Sequence, residues 1–185
     1  VAVGAGQVHI NGDAKSKELL SGSFVGGIEE KVTHNGDFTK VKLQPRTDDF
    51  IHVIMPWSWG ARNWNFGLNK NVDWQLKFEM GASDAHVDLT DVRVTDLKIE
   101  TGASNTEITL PANAGVTHVD LDGGAASVSF TVPEGVAARI HVDSGLSSID
   151  IDRNRFPRVG SYYKSNDYET AANKVDIEAD FGAGS

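Results

Sequence analysis

Leu76-Lys77-Phe78-Glu79-Met80-Gly81, Leu97-Lys98-Ile99-Glu100-Thr101-Gly102, Val119-Asp120-Leu121-Asp122-Gly123-Gly124 and Ile140-His141-Val142-Asp143-Ser144-Gly145 repeat one pattern, and their closing glycines stand 21, 22 and 21 residues apart. Units this short cannot bury an apolar face alone, so they must stack on one another. Phe78, Ile99, Leu121 and Val142, with Leu76, Leu97, Val119 and Ile140 two positions earlier, alternate with polar residues and form the inward side of one strand. Past each glycine the alternation resumes. Ala85 and Val87, Thr106 and Ile108, Val128 and Phe130, and Ile149 and Ile151 predict a second strand in each unit. Turns are expected at the glycines themselves, as in Gly102-Ala103-Ser104, and at Pro111 to Gly115 and Pro133-Glu134-Gly135. The fold class is therefore all-β: a repeat-built, β-solenoid-like array of strand-turn-strand-turn units, each about 21 residues long.

Outward from these copies, Val1 to Ile10 places Gly4 where the other glycines stand and Val8 and Ile10 in the same inward slots. Val175 to Ser185 repeats the first strand and the glycine turn at Gly182, then stops before the returning strand. The chain opens and closes inside a rung and lacks an initiating methionine, so it reads as a trimmed fragment whose flanks are missing. Its 185 residues suit one domain with one core. Within it, residues 1–70 are irregular and 71–185 regular, with an insertion at about 153–174. In the irregular part, Asp13 to Leu20 suits a helical turn or bulged loop. Phe24 to Thr33 and Asp37 to Gln44 alternate as strands around an Asn35-Gly36 hairpin turn. Ile51 to Met55 and Phe66 to Leu68 suggest a further strand pair.

No apolar run approaches the roughly 20 residues of a membrane helix. The chain has no cysteine, which excludes disulfides and thiolate metal sites without fixing the compartment. A net charge of −9 repels phosphate backbones and anionic lipid, so no nucleic-acid partner is expected.

Phe24-Val25-Gly26-Gly27-Ile28-Glu29-Glu30, Arg62-Asn63-Trp64-Asn65-Phe66-Gly67-Leu68-Asn69, the Gly-Ala-Ser repeats, and Asp167-Tyr168-Glu169-Thr170-Ala171-Ala172-Asn173-Lys174-Val175-Asp176-Ile177 resemble the bacterial toastrack domain over essentially the whole chain. Toastrack domains occur in LiaF-like cell-wall-active antibiotic response proteins, in PspC relatives and in adhesin-labelled proteins. The resemblance implies a non-enzymatic module, C-terminal to membrane helices, that acts in envelope-stress sensing. It further implies a protein partner, such as a membrane signalling component, and an extracytoplasmic, membrane-anchored location in the bacterial envelope. Membrane contact would run only through segments outside this sequence. No catalytic residue carries over.

The residues themselves offer three candidate sites. Two positions before each glycine stand Glu79, Glu100, Asp122, Asp143 and Asp180 on the outward face. In-register stacking would space these like charges roughly 4.8 Å apart, which costs stability without compensation. Lys77 and Lys98 can compensate the first rungs; Asp120, His141 and Glu178 hold the same places in the later ones. Asp120, Asp122, His141 and Asp143 thus form a candidate divalent-cation patch of carboxylates and one imidazole. The plainer reading is a solvated acidic face, each repulsion worth on the order of 1 kcal/mol in water. No other cofactor is expected.

The second candidate is the loop carrying Trp57, Trp59 and Trp64. Trp57 and Trp59 would offer stacking faces to a glycan or anchors to a protein; alternatively the loop folds back to cap the array. Around Trp64 the family resemblance favours a structural role. The third candidate is the insertion, where Arg155, Arg158, Tyr162 and Tyr163 have the composition of an interface. They could equally hold the insertion against the sheet by pairing with Asp150, Asp152 or the acidic row.

Catalysis has little support. The six histidines show no metal-helix spacing, and no Gly-x-Ser-x-Gly elbow occurs. His9 and His86 occupy equivalent outward positions, where a solvated ring is the default. Two functions remain open: a sensory interaction module, or an adhesin-like, glycan-binding one.

Overall fold

The computed structural model describes residues 1–46, 62–144 and 150–182. The described residues contain strands and turns and no helix: β1 (Ala2–Asn11), β2 (Leu20–Phe24), β3 (Ile28–Asn35), β4 (Phe38–Pro45), β5 (Asn63–Leu68), β6 (Asp73–Asp88), β7 (Arg93–Thr101), β8 (Asn105–Thr109), β9 (Val116–Gly123), β10 (Ser127–Thr131), β11 (Ala137–Ser144), β12 (Arg158–Val159), β13 (Tyr162–Lys164) and β14 (Lys174–Phe181).

The repeats stack as the alternation requires. The amino-terminal half of β6 pairs in parallel with β7, and β7 with β9, so that Leu76, Leu97 and Val119 align, as do Phe78, Ile99 and Leu121. The carboxy-terminal half of β6 pairs with β8 and β8 with β10, aligning Ala85, Thr106 and Val128 beside Val87, Ile108 and Phe130. β1 runs alongside both halves of β6, with Val8 on Ala85 and Ile10 on Val87. β5 and then β2 extend this second wall. One apolar core includes Leu97, Ile99, Ile108, Leu121, Trp64 and Phe66, all at most 1 % exposed. Burying each of these side chains contributes about 1.5–3 kcal/mol.

Three expectations are corrected and one open alternative is resolved. First, the turn expected at Gly81 does not form: β6 continues unbroken from Asp73 to Asp88. Glycine is required there by close packing, because a Cβ would stand 2.4 Å from the carbonyl oxygen of Gly4. Second, the rungs do not stack in chain order. β14 lies between β9 and β11, pairing Ile177 with both Val119 and Ile140. A single alternating pattern fits any slot in such a wall, and the insertion is long enough to pass outside β11 before the chain returns. Third, of the helical turn and the loop left open for Asp13 to Leu20, the loop forms; the carboxamide of Asn69 donates to the carbonyl of Glu18 at 2.8 Å and fixes it. Fourth, Asp150 to Asp152 form no strand, although Ile151 still packs half-buried against the core. Ile149 and Ile51 to Met55 lie outside the described residues.

The Asn35-Gly36 turn does close a hairpin. Asn35 pairs with Phe38 around Gly36 and Asp37, and Gly36 takes φ +58°, the left-handed region that glycine adopts without steric cost. This β3–β4 hairpin is a sheet of its own, anchored to the core by the fully buried Leu43.

Candidate functional site

The outer face of the first wall carries the acidic row in the order Glu79, Glu100, Asp122, Asp180, Asp143. Lys77 bridges Glu79 at 2.7 Å and Glu100 at 3.0 Å, and Lys98 reaches Glu100 at 3.5 Å and Asp120 at 3.4 Å. The hydrogen bond from Lys77 holds the Glu79 carboxyl below its ordinary range, and the carboxylates of Glu79 and Glu100 raise the ammonium in return. Past Lys98, the Asp122, Glu178, Asp180 and Asp143 carboxylates make no ion pair among the described residues.

The proposed cation patch is divided by the strand order. Asp120 and Asp122 lie on β9, His141 and Asp143 on β11, and β14 interposes Glu178 and Asp180. Two strand spacings, roughly 9.6 Å at the backbone, separate the halves, and among the described residues no three or more His, Asp or Glu side chains gather so as to hold an ion. His141 instead sets Nδ1 3.2 Å from the carbonyl oxygen of Ser161 and leans its ring on Tyr162.

The insertion binds to the edge of β11 rather than lying over the sheet. β13 pairs antiparallel with β11, and β12 with β13. Arg155, one of the expected interface residues, makes intramolecular contacts. Its guanidinium donates to the carbonyls of Val132, Pro133 and Val136, the last at 2.9 Å, and so ties the connection between β10 and β11 together. Arg158 donates to Gly160 at 3.2 Å and spans the ring of Tyr163, which packs half-buried against the core. Neither guanidinium takes Asp150, Asp152 or the acidic row as partner among the described residues, although the backbone N–H of Arg155 donates to the Asp152 carboxylate at 3.4 Å. Arg139 pairs in two-pronged fashion with Asp176, Nε to Oδ1 at 2.8 Å, between the rings of Tyr162 and Tyr168. The pair raises the guanidinium further, while burial raises the Tyr168 phenol. Tyr162 and Val159 stay exposed at this edge.

Trp57 and Trp59 lie outside the described residues. Trp64 is fully buried on β5, edge-to-face against Phe24 at 5.5 Å, the structural role the resemblance implies.

The most exposed apolar surface is one the sequence reading passed over. The hairpin leaves Phe38 72 % and Val32 47 % exposed, and past its base nearly every side chain faces water. Lys31 stands directly opposite Lys42, and Lys40 precedes them toward the tip on the same face. This cross-strand lysine pair makes no ion pair among the described residues. Like charges opposite one another weaken a hairpin, so fold stability does not account for them. The available signal was the Asn-Gly turn flanked by lysines. An open groove of about 600 Å³ follows the glycine row at the hairpin's base, between Pro45 and the carboxylates of Glu79, Glu100 and Asp122.

The family model of the N-terminal domain of toast_rack matches residues 1–131. Over 99% of this chain and 87% of the other, the fold is similar to the crystal structure of a putative cell adhesion protein from Clostridium sporogenes, with a TM-score of 0.82 and 19% identity. No curated protein matches.

Proposed function

The chain belongs to the family of the N-terminal domain of toast_rack, and we propose that it is the non-catalytic interaction and sensory module of a membrane-tethered bacterial envelope-stress regulator, held outside the cytoplasmic membrane. The observation that carries this reading is the β3–β4 arm. It holds an aromatic, Phe38, in water on the same face as three lysines, Lys31, Lys40 and Lys42, in a chain of net charge −9. Such a surface recognises a protein by burying Phe38 and pairing the lysines with carboxylates.

The test is an envelope-stress reporter in the host, challenged with a wall-active antibiotic. Phe38→Ser with Lys31→Glu and Lys40→Glu in the full-length gene is expected to uncouple the reporter while the protein accumulates normally. A second reading, an adhesin-like or glycan-binding surface module, is favoured by the description of the Clostridium protein and would act through Trp57 and Trp59. An unaltered reporter, together with loss of polysaccharide retention in Trp57→Ala/Trp59→Ala, would replace the first reading with the second.

A further inference from the structure

On the outer face of the second wall, opposite in the sandwich to the acidic row, β1 and β6 set two imidazoles side by side. His9 and His86 are register partners in a parallel pair, and Glu107 of β8 is the next residue along the same row. The two rings stack with centroids 5.5 Å apart and planes within 1° of parallel. Nδ1 of His86 lies 2.9 Å from a carboxylate oxygen of Glu107. The rings project from hydrogen-bonded strands whose inward neighbours Val8, Ile10, Ala85 and Val87 are buried, so the backbone spacing beneath them is fixed while the exposed rings can turn.

We propose that His9 and His86 form a two-point chelate for a divalent cation that prefers imidazole, of the Zn²⁺, Ni²⁺ or Cu²⁺ class, with Glu107 as the positioning carboxylate. Glu107 accepts the Nδ1 proton of His86, which leaves the Nε2 lone pair free and directed away from the sheet. A carboxylate behind a ligating imidazole is the arrangement that fixes the tautomer and raises ligand basicity at metal centres. Neighbouring parallel strands stand about 4.8 Å apart. Rotation of both exposed rings out of the parallel stack, so that their planes converge, would bring both Nε2 atoms to the roughly 2.0–2.1 Å bond length such an ion requires. Hard cations are excluded, because Ca²⁺ and Mg²⁺ take oxygen ligands. Among the described residues no set of three or more side chains forms a closed metal cage; this site is open, and water completes the coordination.

Isothermal titration of the whole chain with Zn²⁺ and Ni²⁺, paired with imidazole ¹⁵N chemical shifts, tests this. One ion per chain is expected, with the His9 and His86 Nε2 resonances moving together. His9→Ala and His86→Ala should each weaken binding at least about tenfold, and Glu107→Gln about tenfold or more, the range for a lost outer carboxylate. Ca²⁺ should produce no shift at these rings. Because both rings are solvent-facing, the variants should melt as the parent does. Equal affinity in the parent and in His9→Ala/His86→Ala would overturn the proposal, as would ¹⁵N shifts confined to His118 or His141, which would move the ion to the first wall.

Discussion

β7 and the β3–β4 hairpin are built from the same alternation of apolar and polar residues, yet they meet opposite fates. Leu97 and Ile99 of β7 are sealed, at 1 % and 0 % exposure, whereas Val32 and Phe38 of the hairpin stand in water. β7 is hydrogen-bonded to β6 and β9 and roofed by the second wall. Among the described residues each hairpin strand is hydrogen-bonded along its length only to its partner, and Leu43 is its one fully buried anchor. Alternation specifies a strand; topology decides whether its apolar face is used by the fold. Where the fold leaves it unused, it is available to something else.

The largest effect should come from the sealed side. Ile99→Ala is expected to lower the unfolding free energy by about 2–5 kcal/mol, the lost transfer energy plus the cavity left behind. Val32→Ala should change it by no more than about 0.5 kcal/mol, as at unburied positions generally. Urea denaturation of both variants measures the contrast directly. A comparable loss at Val32 would mean that the arm is packed against the body, and the two regions would cease to differ.

Next in size is the tie that secures β14 between its neighbours. Asp176 is largely buried and accepts two hydrogen bonds from Arg139 on β11. Asp176→Asn should cost about 1.5–3 kcal/mol, the worth of hydrogen bonds to a charged group. Adding Arg139→Met should cost less than the two single changes together, because the second change removes a charge already without its partner. Strict additivity in this cycle would show that the pair does not hold the rung order together.

A smaller effect separates the regions by pH. The hydrogen bond from Lys77 depresses Glu79 from its ordinary 4.5, and those from Thr90 depress Asp88 from 3.8. Since the folded values lie below the unfolded ones, both groups contribute stability above the ordinary carboxylate range. That stability is lost as pH falls through this range toward the folded values. Lys77→Met should therefore remove part of the acid sensitivity below pH 4.5, read as melting temperature against pH, and leave the contribution of Asp88. An identical pH profile for Lys77→Met would sever the link between that ion pair and acid stability.

These contrasts mark what the residues could reveal in advance. The rungs were legible because period-two alternation broken by glycine has few other solutions, and the alignment of Val8 and Ile10 with Ala85 and Val87 already placed His9 beside His86. Strand order was not legible. Val175, Ile177 and Ala179 would pack equally well at the end of the wall or inside it, and the deciding contacts, such as Arg139 with Asp176, join residues far apart in the chain. The contacts of Arg155 were not legible either, because its guanidinium partners are backbone carbonyls, which no residue pattern announces. The arm was recognised as a hairpin but not as a projection, since exposure depends on what lies beside a strand.

The smallest stability effect carries the sharpest functional consequence. Phe38 is 72 % exposed at the hairpin tip, so Phe38→Ser removes little buried area and should shift the unfolding free energy by about 0.5 kcal/mol or less, with an unchanged denaturant slope. The ring's apolar area becomes worth about 1.5–3 kcal/mol only when a partner covers it. The substitution should thus spare the folded chain while weakening the contact through which the arm acts, the reverse of Ile99→Ala. Denaturation in urea and the antibiotic-challenged reporter, run on the same variant, separate the two quantities. If Phe38→Ser destabilised the chain by more than about 1 kcal/mol, the tip would belong to the folded body, and the lysines beside it would need a partner within the same molecule.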